Sequence, residues 1–384
     1  MRAFGNISYF TELFESSIDS NCSILMNFLA LQRWILIRIE FLSSLVILFS
    51  LSLLIFTNGK ISLDTGSIGL LIFYSYIWPP SLCAFLQSFV ETEALVTSVE
   101  RFNTFSKIPQ ENETEKDQNY ESLDSSWPSR GDVVFNNVVL KYSDEGPPCL
   151  DGVSFSITDG QWCAVVGRSG AGKSSLISAL SRLNEIESGK ICIDGINLKN
   201  VALSDVRGRE NGVYVVCQHP FLLEGRLRDY LDPGGIFSDN EIINALFCIK
   251  LIESLEEGEK FLKDYIHPGG RNYSQGQKQQ ICLARAVLVQ PRILILDEAT
   301  ATIDSKTDEY IQQMLRIKFR KTTVITIAHK LGTILDYDFA LVMDDGKVRE
   351  FGMIHHLLEK ENGEFRYLVN EWKKSPTANE YKIV

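Results

Sequence analysis

Basic residues are scarce in this 384-residue sequence. Lys and Arg total 38 against 49 Asp and Glu, for a formal net charge of −11. That balance lacks the positive face needed to neutralise a phosphate backbone, which argues against nucleic acid as a partner. The 8 cysteines contain no C-x-x-C pair and no metal-ligand spacing, so no metal site is read from them. Cys163, Cys192 and Cys282 sit inside apolar runs and read as buried, reduced thiols of a cytosolic domain.

Charge is missing altogether from two stretches, Phe41 to Gly59 and Thr65 to Val90. Each is long enough to cross a hydrocarbon core of about 30 Å at about 1.5 Å per residue. Only Lys60 and Asp64 charge the short connection, so the pair predicts a transmembrane helical hairpin with spans at about 36–58 and 66–90. Pro79-Pro80 is expected to kink the second span. A cleavable leader is disfavoured, because the apolar run starts too late and a second one follows. Helical spacing of Phe10, Phe14 and Ile18 extends the first helix towards the N-terminus, and Glu91 to Phe105 extends the second. Arg33 and Arg38, ahead of the charge-free run that starts at Phe41, agree with the positive-inside tendency and with a cytosolic placement of that end. From Pro109 the composition turns polar and acidic. The domains are therefore expected as 1–106 (membrane part), 107–131 (solvated acidic linker) and 132–384 (cytosolic domain).

The cytosolic part is organised around Gly167-Arg168-Ser169-Gly170-Ala171-Gly172-Lys173-Ser174, which fits G-x-x-x-x-G-K-[ST] at every fixed position. The apolar strand Cys163 to Val166 precedes it and a helix beginning near Ser175 follows. In that context Gly167, Gly170 and Gly172 let backbone N–H groups close around phosphate oxygens at a helix N-terminus. Lys173 is expected on the β- and γ-phosphates of ATP, with Ser174 on Mg²⁺ and Ser175 in the same loop-to-helix cradle. Val133 to Phe135 and Val138 to Leu140 alternate with polar residues as edge-type strands. Gly189 to Gly195 reads as a hairpin-like strand. Arg292 to Leu296 and Thr322 to Ala328 are continuous apolar or β-branched runs, as expected of parallel strands covered on both faces. They end in Asp297-Glu298 and His329, at the carboxyl ends where open α/β sheets bind ligands. Asp297 is the expected Mg²⁺-holding acid. Glu298 is the expected group that orients or deprotonates the attacking water.

Between these motifs lies Asn272-Tyr273-Ser274-Gln275-Gly276-Gln277-Lys278-Gln279-Gln280, followed by the helical Ile281 to Ala286. Ser274 and Gln277 have the spacing of a capping box, which would aim the free N–H groups of a helix start outward. This stretch resembles the L-S-G-G-Q signature of the ATP-binding cassette (ABC) family, an α/β phosphate-loop NTPase domain with a parallel sheet core, an antiparallel β subdomain and an α-helical subdomain. The resemblance implies that Ser274, Gly276 and Gln277 meet the γ-phosphate held by a second cassette. By position it further implies that Tyr142 stacks on adenine and that Gln218 senses Mg²⁺ and the attacking water. By the same resemblance Asp304 corresponds to the D-loop and His329 resembles the switch histidine that contacts the γ-phosphate. Gly225 to Pro233 is similar to the G-x-L-R-x-N-L-D-P stretch of the second cassette in the multidrug-resistance-associated (C) subfamily. Arg2 to Gly5, Arg33-Trp34 and Val99 to Phe102 are similar to flanks of the fifth and sixth helices of its second membrane domain.

The resemblance implies an Mg-ATP-hydrolysing transport ATPase that exports a solute of organic-anion or xenobiotic class. It would be a multi-pass membrane protein with its cassette in the cytosol, in the plasma membrane or a vacuolar or lysosomal membrane. Against the family's pattern this sequence lacks four earlier helices of its membrane domain and the whole first half, so the resemblance implies a fragment or a chain that works beside a partner: the N-terminal transporter half or another ABC chain. An ATP-gated channel or regulator, and a truncated product that transports nothing, are the alternative readings. Ala84 and Gln87 stand where glutathione-conjugate transporters carry Trp and Arg, which weakens the case for large conjugated anions. Arg33 is retained as the candidate cargo contact. Cys217 replaces the usual proline before Gln218, and Gln275 the usual small residue of the signature.

Overall fold

The computed structural model describes residues 5–57, 64–108, 111, 123–124, 126–143, 145–207, 212–300, 302–328 and 331–374. It divides into two units, Met1–Glu111 and Asn112–Val384. The first consists of two long helices, α1 (Ile7–Thr57) and α2 (Thr65–Ser106). Both are long and apolar enough to cross a membrane, and their most apolar windows bury nothing within the structure. Serine hydroxyls in the apolar stretches turn back onto the preceding turn, as Ser44 does on the Glu40 carbonyl and Ser52 on the Leu48 carbonyl. That satisfies each hydroxyl without water. Ser50 and Ser75 meet across the two helices at 3.3 Å. α2 runs through Pro79 and Pro80 as one helical element.

The second unit is an α/β domain. Its strands are β1 (Val133–Leu140), β2 (Leu150–Ile157), β3 (Trp162–Gly167), β4 (Ser188–Ile193), β5 (Ile196–Asn197), β6 (Val213–Val216), β7 (Gly225–Arg226), β8 (Tyr265–Ile266), β9 (Ile293–Asp297), β10 (Thr323–Ile327), β11 (Phe339–Asp344) and β12 (Lys347–Met353). Helix α3 (Lys173–Leu180) follows β3; α4 (Leu203–Arg207), α5 (Leu227–Leu231), α6 (Asp239–Cys248) and α7 (Leu255–Leu262) come next. Then α8 (Gln275–Val289) precedes β9, α9 (Ser305–Lys318) follows it, and α10 (Ile354–Glu359) and α11 (Glu364–Lys374) close the domain.

A six-stranded sheet in the order β12-β11-β3-β10-β9-β6 forms the centre. Its five strands β11, β3, β10, β9 and β6 run parallel, and β12 is an antiparallel edge. Alternate residues of each strand enter different cores. Ala164, Val166, Leu294, Leu296 and Val324 face the core shared with α8 and α9. Cys163, Val165, Ile293, Ile295 and Ile325 face the core shared with α3 and the β2-β1-β4-β5 sheet. Both faces are covered, which is why these strands read as unbroken apolar runs.

Three expectations are corrected. The triads around Val133 and Val138 belong to one strand, β1, and it lies inside its sheet between β2 and β4. Register shifts on either side of Asn136-Asn137, with Asn137 at φ 49°, insert the residue that keeps both triads in phase. Val133, Phe135, Val138 and Leu140 are therefore all buried, a pattern that strict alternation hides. Second, the stretch expected as solvated linker up to residue 131 packs onto the domain over its described C-terminal part. Trp127 is buried in the core and the N–H groups of Ser129, Arg130, Gly131 and Asp132 all bind the Asp194 carboxylate. Third, Cys163 alone of the three apolar-run thiols is fully buried; Cys192 and Cys282 are half-buried.

Candidate functional site

The parallel registers bring three strand ends to one edge. Ile327 of β10 pairs with Val165 of β3 on one side and Asp297 of β9 on the other. The glycine loop after β3 and the carboxylates after β9 thus meet in one cleft of about 630 Å³. It is lined by Ser169, Gly170, Gly172, Lys173, Ser174, Ser175, Gln218, Asp297 and Glu298 among others.

Two glycines of the loop are dictated by close backbone approach. A Cβ on Gly167 (φ 157°) would stand 2.2 Å from the Met343 carbonyl oxygen. One on Gly172 (φ 96°) would stand 2.7 Å from that of Cys149. Left-handed Gly172 caps α3 without a side-chain hydrogen bond, so the first turn keeps its backbone N–H groups for an anion. Lys173 is buried, and its Nζ donates to the Gly167 carbonyl at 2.7 Å and the Arg168 carbonyl at 2.9 Å. Burial lowers its pKa from the ordinary lysine value, while the Glu298 and Asp297 carboxylates facing it act in the opposite direction.

Across the cleft, Gln218 Nε2 donates to Glu298 Oε2 at 2.7 Å. Glu298 adopts a left-handed backbone (φ 47°), an uncommon conformation for a non-glycine residue. Its N–H donates to the Ile327 carbonyl at 3.2 Å, which fixes the turn after β9 against β10. The Tyr142 hydroxyl bonds Ser175 Oγ at 3.1 Å while most of the ring is exposed. Ser174 is exposed and Asp297 half-buried on the cleft wall. Together with the Gln218 side-chain carbonyl they offer hard oxygen donors, which suit Mg²⁺ better than a softer metal.

Ser274 and Gln277 form the expected capping box at the start of α8. Ser274 Oγ accepts from the Gln277 N–H at 3.2 Å, and Gln277 Oε1 accepts from the Ser274 N–H at 2.9 Å. Gly276 approaches the Thr302 carbonyl, 3.2 Å from where its Cβ would stand. Asp304 caps α9 by accepting the Thr307 N–H at 3.0 Å, and that bond holds its carboxyl below the usual range. His329 lies outside the described residues. Arg33 sits exposed on α1, in the other unit.

Several cleft residues escape the motifs. Pro147, Pro148, Cys149, Asp345 and Gly346 form one wall. The Gly346 N–H donates to the Ala171 carbonyl at 3.2 Å and its carbonyl accepts from Asp151 at 2.9 Å, so the β11–β12 turn props the loop. Pro147-Pro148 and Asp345-Gly346 are ordinary turn signals in sequence, and nothing local ties them to the cleft. Gln279 is the other omission. It is buried at 1 % exposure inside α8, and its carboxamide reaches three residues on two separate loops.

Strand order, glycine loop and strand-end carboxylates define a phosphate-loop nucleotide-binding domain. Residues 150–301 match the family described as ABC transporter. The chain is 36% identical over 357 residues to ABC transporter C family member 12 of Dictyostelium discoideum, covering 93% of this chain and 26% of that protein. It is 37% identical over 402 residues to the pleiotropic ABC efflux transporter of multiple drugs YBT1 of Candida glabrata, covering 98% and 24%. ATP-binding cassette sub-family C member 2 of Mus musculus is 36% identical over 358 residues, covering 93% and 23%. The solved structure of a bacterial Atm1-family ABC exporter with ATP bound shares the fold with a TM-score of 0.81 at 23% identity, covering 97% of this chain and 64% of that one.

Residues 150–301 thus carry an ABC transporter domain, and over most of its length the chain is similar to C-family (multidrug-resistance-associated) ABC transporters. It spans about a quarter of the length of the curated relatives it matches.

Proposed function

We propose that this chain binds and hydrolyses Mg-ATP in the cleft after β3. That cycle would drive export of a solute of organic-anion or xenobiotic class, as part of a C-family ABC transporter. The observation that carries the reading is the Gln218–Glu298 pair at 2.7 Å, facing a buried Lys173 across the same cleft. Lys173 exchanges its two loop carbonyls for β- and γ-phosphate oxygens when nucleotide enters. Ser174, Asp297 and Gln218 hold the metal, which when bound supplies charge neutralisation on the phosphates. Glu298 accepts the proton of the attacking water, oriented by its bond to Gln218, and His329 supports the γ-phosphate. Tyr142 takes the adenine face.

Ser274, Gly276, Gln277 and Asp304 serve nucleotide held by a second cassette, supplied by an N-terminal transporter half or another ABC chain. The two apolar helices support a membrane location for the chain, and its cassette is assigned to the cytosolic side, where ATP is available. Arg33 is assigned to the cargo path.

Two variants test the reading with radiolabelled or fluorescent ATP on the purified full-length chain, and with turnover in a preparation containing its partner half. Lys173→Ala is expected to weaken nucleotide binding about tenfold or more, the loss of one charge-assisted contact. Glu298→Gln is expected to bind ATP as the parent does and to lose turnover by about 100-fold or more. Undiminished turnover in Glu298→Gln would rule the assignment out.

A further inference from the structure

Gln279 lies in the second turn of α8, five residues beyond Ser274, and is among the most buried polar side chains of the domain. A carboxamide has two N–H donors and two acceptor lone pairs. Here it has four partners. Nε2 donates to the Gln218 carbonyl at 3.2 Å and the Glu298 carbonyl at 3.3 Å. Oε1 accepts from Thr302 Oγ1 at 2.7 Å and from the Thr302 N–H at 3.3 Å.

The consequence is a closed circuit. Gln279 holds the main chains of residues 218 and 298 together from behind, and their side chains meet in front at 2.7 Å. The same amide ties that pair to Thr302, two residues before the helix cap Asp304. Ser274 opens α8 and Gln279 sits on it, so the position of the helix start is transmitted to the carboxylate facing the loop.

We propose that Gln279 is a positioning residue for ATP hydrolysis. It sets the Gln218–Glu298 geometry and registers it to the start of α8 and to the segment leading to Asp304, without touching nucleotide itself. A hydrocarbon side chain in its place would leave the Gln218 and Glu298 carbonyls and the Thr302 N–H without this partner, and the pair free to drift. Misplacement of a water-orienting group by a fraction of an ångström lowers turnover while leaving nucleotide contacts in place.

This inference rests on the hydrolytic reading above, and two measurements on the chain assembled with its partner half in lipid nanodiscs separate the two. Gln279→Leu and Thr302→Val are compared with the parent by Mg-ATP titration of steady-state hydrolysis and by amide hydrogen exchange. Thr302 is exposed, so its variant keeps the fold even where the buried substitution does not. The expected result is a fall in kcat of about tenfold or more for Gln279→Leu, less for Thr302→Val, with KM within about twofold. Exchange should rise together around residues 217–219 and 298–302 while α3 stays protected as in the parent. Unchanged kcat, or KM and kcat moving together, overturns the positioning role, as does exchange confined to the substituted residue's neighbours. A parent assembly, partner half included, that hydrolyses nothing, yet whose two loops loosen together in the variants, would sink the proposed function and leave the mechanical tie standing.

Discussion

A single carboxylate anchors the segment that leads into the cassette. Asp194 accepts N–H bonds from Ser129 (2.8 Å), Arg130 (3.0 Å), Gly131 (2.8 Å) and Asp132 (2.9 Å). Burial acts to raise its pKa, but the four donors together hold the carboxyl below its ordinary value. A folded-state pKa below the unfolded one means that the ionised form favours folding. The contribution is complete above the unfolded-state pKa of about 3.9 and is lost as pH falls through the lower folded value. Asp194→Asn presents an amide N–H₂ to donors and leaves some of them unbonded, a cost of about 1–3 kcal/mol. At pH 7 the melting temperature should fall by about 3–10 °C, and the variant should show a shallower stability loss below about pH 4. Calorimetry of both proteins between pH 3 and 7 checks this; parallel acid limbs would count against the clamp.

The residue scale is also where the sequence was least complete as a guide. Lys173, Ser174, Asp297 and Glu298 are legible because a fixed local spacing places them at strand ends. Gln279 was invisible because its partners at 218, 298 and 302 are brought to it only by the tertiary fold. The same holds for Asp194, whose partners lie more than 60 residues away.

At the level of elements, the parallel strands were readable because coverage on both faces leaves an unbroken apolar run. The β1 strand was misread as an edge, since its bulge at Asn136-Asn137 disturbs the period without a compositional warning. Helix–helix contact is equally hidden. Gly258 in α7 looks like a helix weakness, costing about 1 kcal/mol relative to alanine by propensity alone. In the structure it is buried, and a Cβ there would meet Ile243 of α6 at 2.5 Å from Cγ2 and 2.8 Å from Cγ1. Ile243 is β-branched and buried, so it has little room to turn away. Overpacking of about 1–3 kcal/mol should therefore exceed the propensity gain, and Gly258→Ala should lower stability. Ile243→Ala removes the opposing carbons. Its combination with Gly258→Ala should cost less than the two separate losses summed, read from denaturant unfolding of all four proteins. Simple additivity would place the strain elsewhere.

On the scale of the whole molecule, the two long helices bear on where the chain resides. At about 1.5 Å per residue, the 51 residues of α1 and 42 of α2 measure about 75 and 60 Å, against a hydrocarbon core of about 30 Å. Each helix therefore extends well past one span, and the apolar windows with their self-satisfied serine hydroxyls are the parts suited to lipid. In the proposed topology, two spans return the chain to the side it started from. Asn6, Asn21, Asn112 and Asn272 each head an N-x-[ST] triplet, and under this arrangement all four lie on the ATP-containing side. Glycosyl transfer acts on the opposite side, so none should carry sugar despite the exposure of Asn6 and Asn21. Expressed in a eukaryotic cell, the chain should resist alkaline extraction from membranes and run unchanged on gels after glycosidase treatment. An engineered acceptor triplet in the 58–63 connection, given enough added linker to reach the transferase, should acquire a glycosidase-sensitive shift. A shift in the parent chain would reverse the topology and carry the nucleotide cleft away from its substrate, so this measurement bears on the energy source as directly as on the membrane.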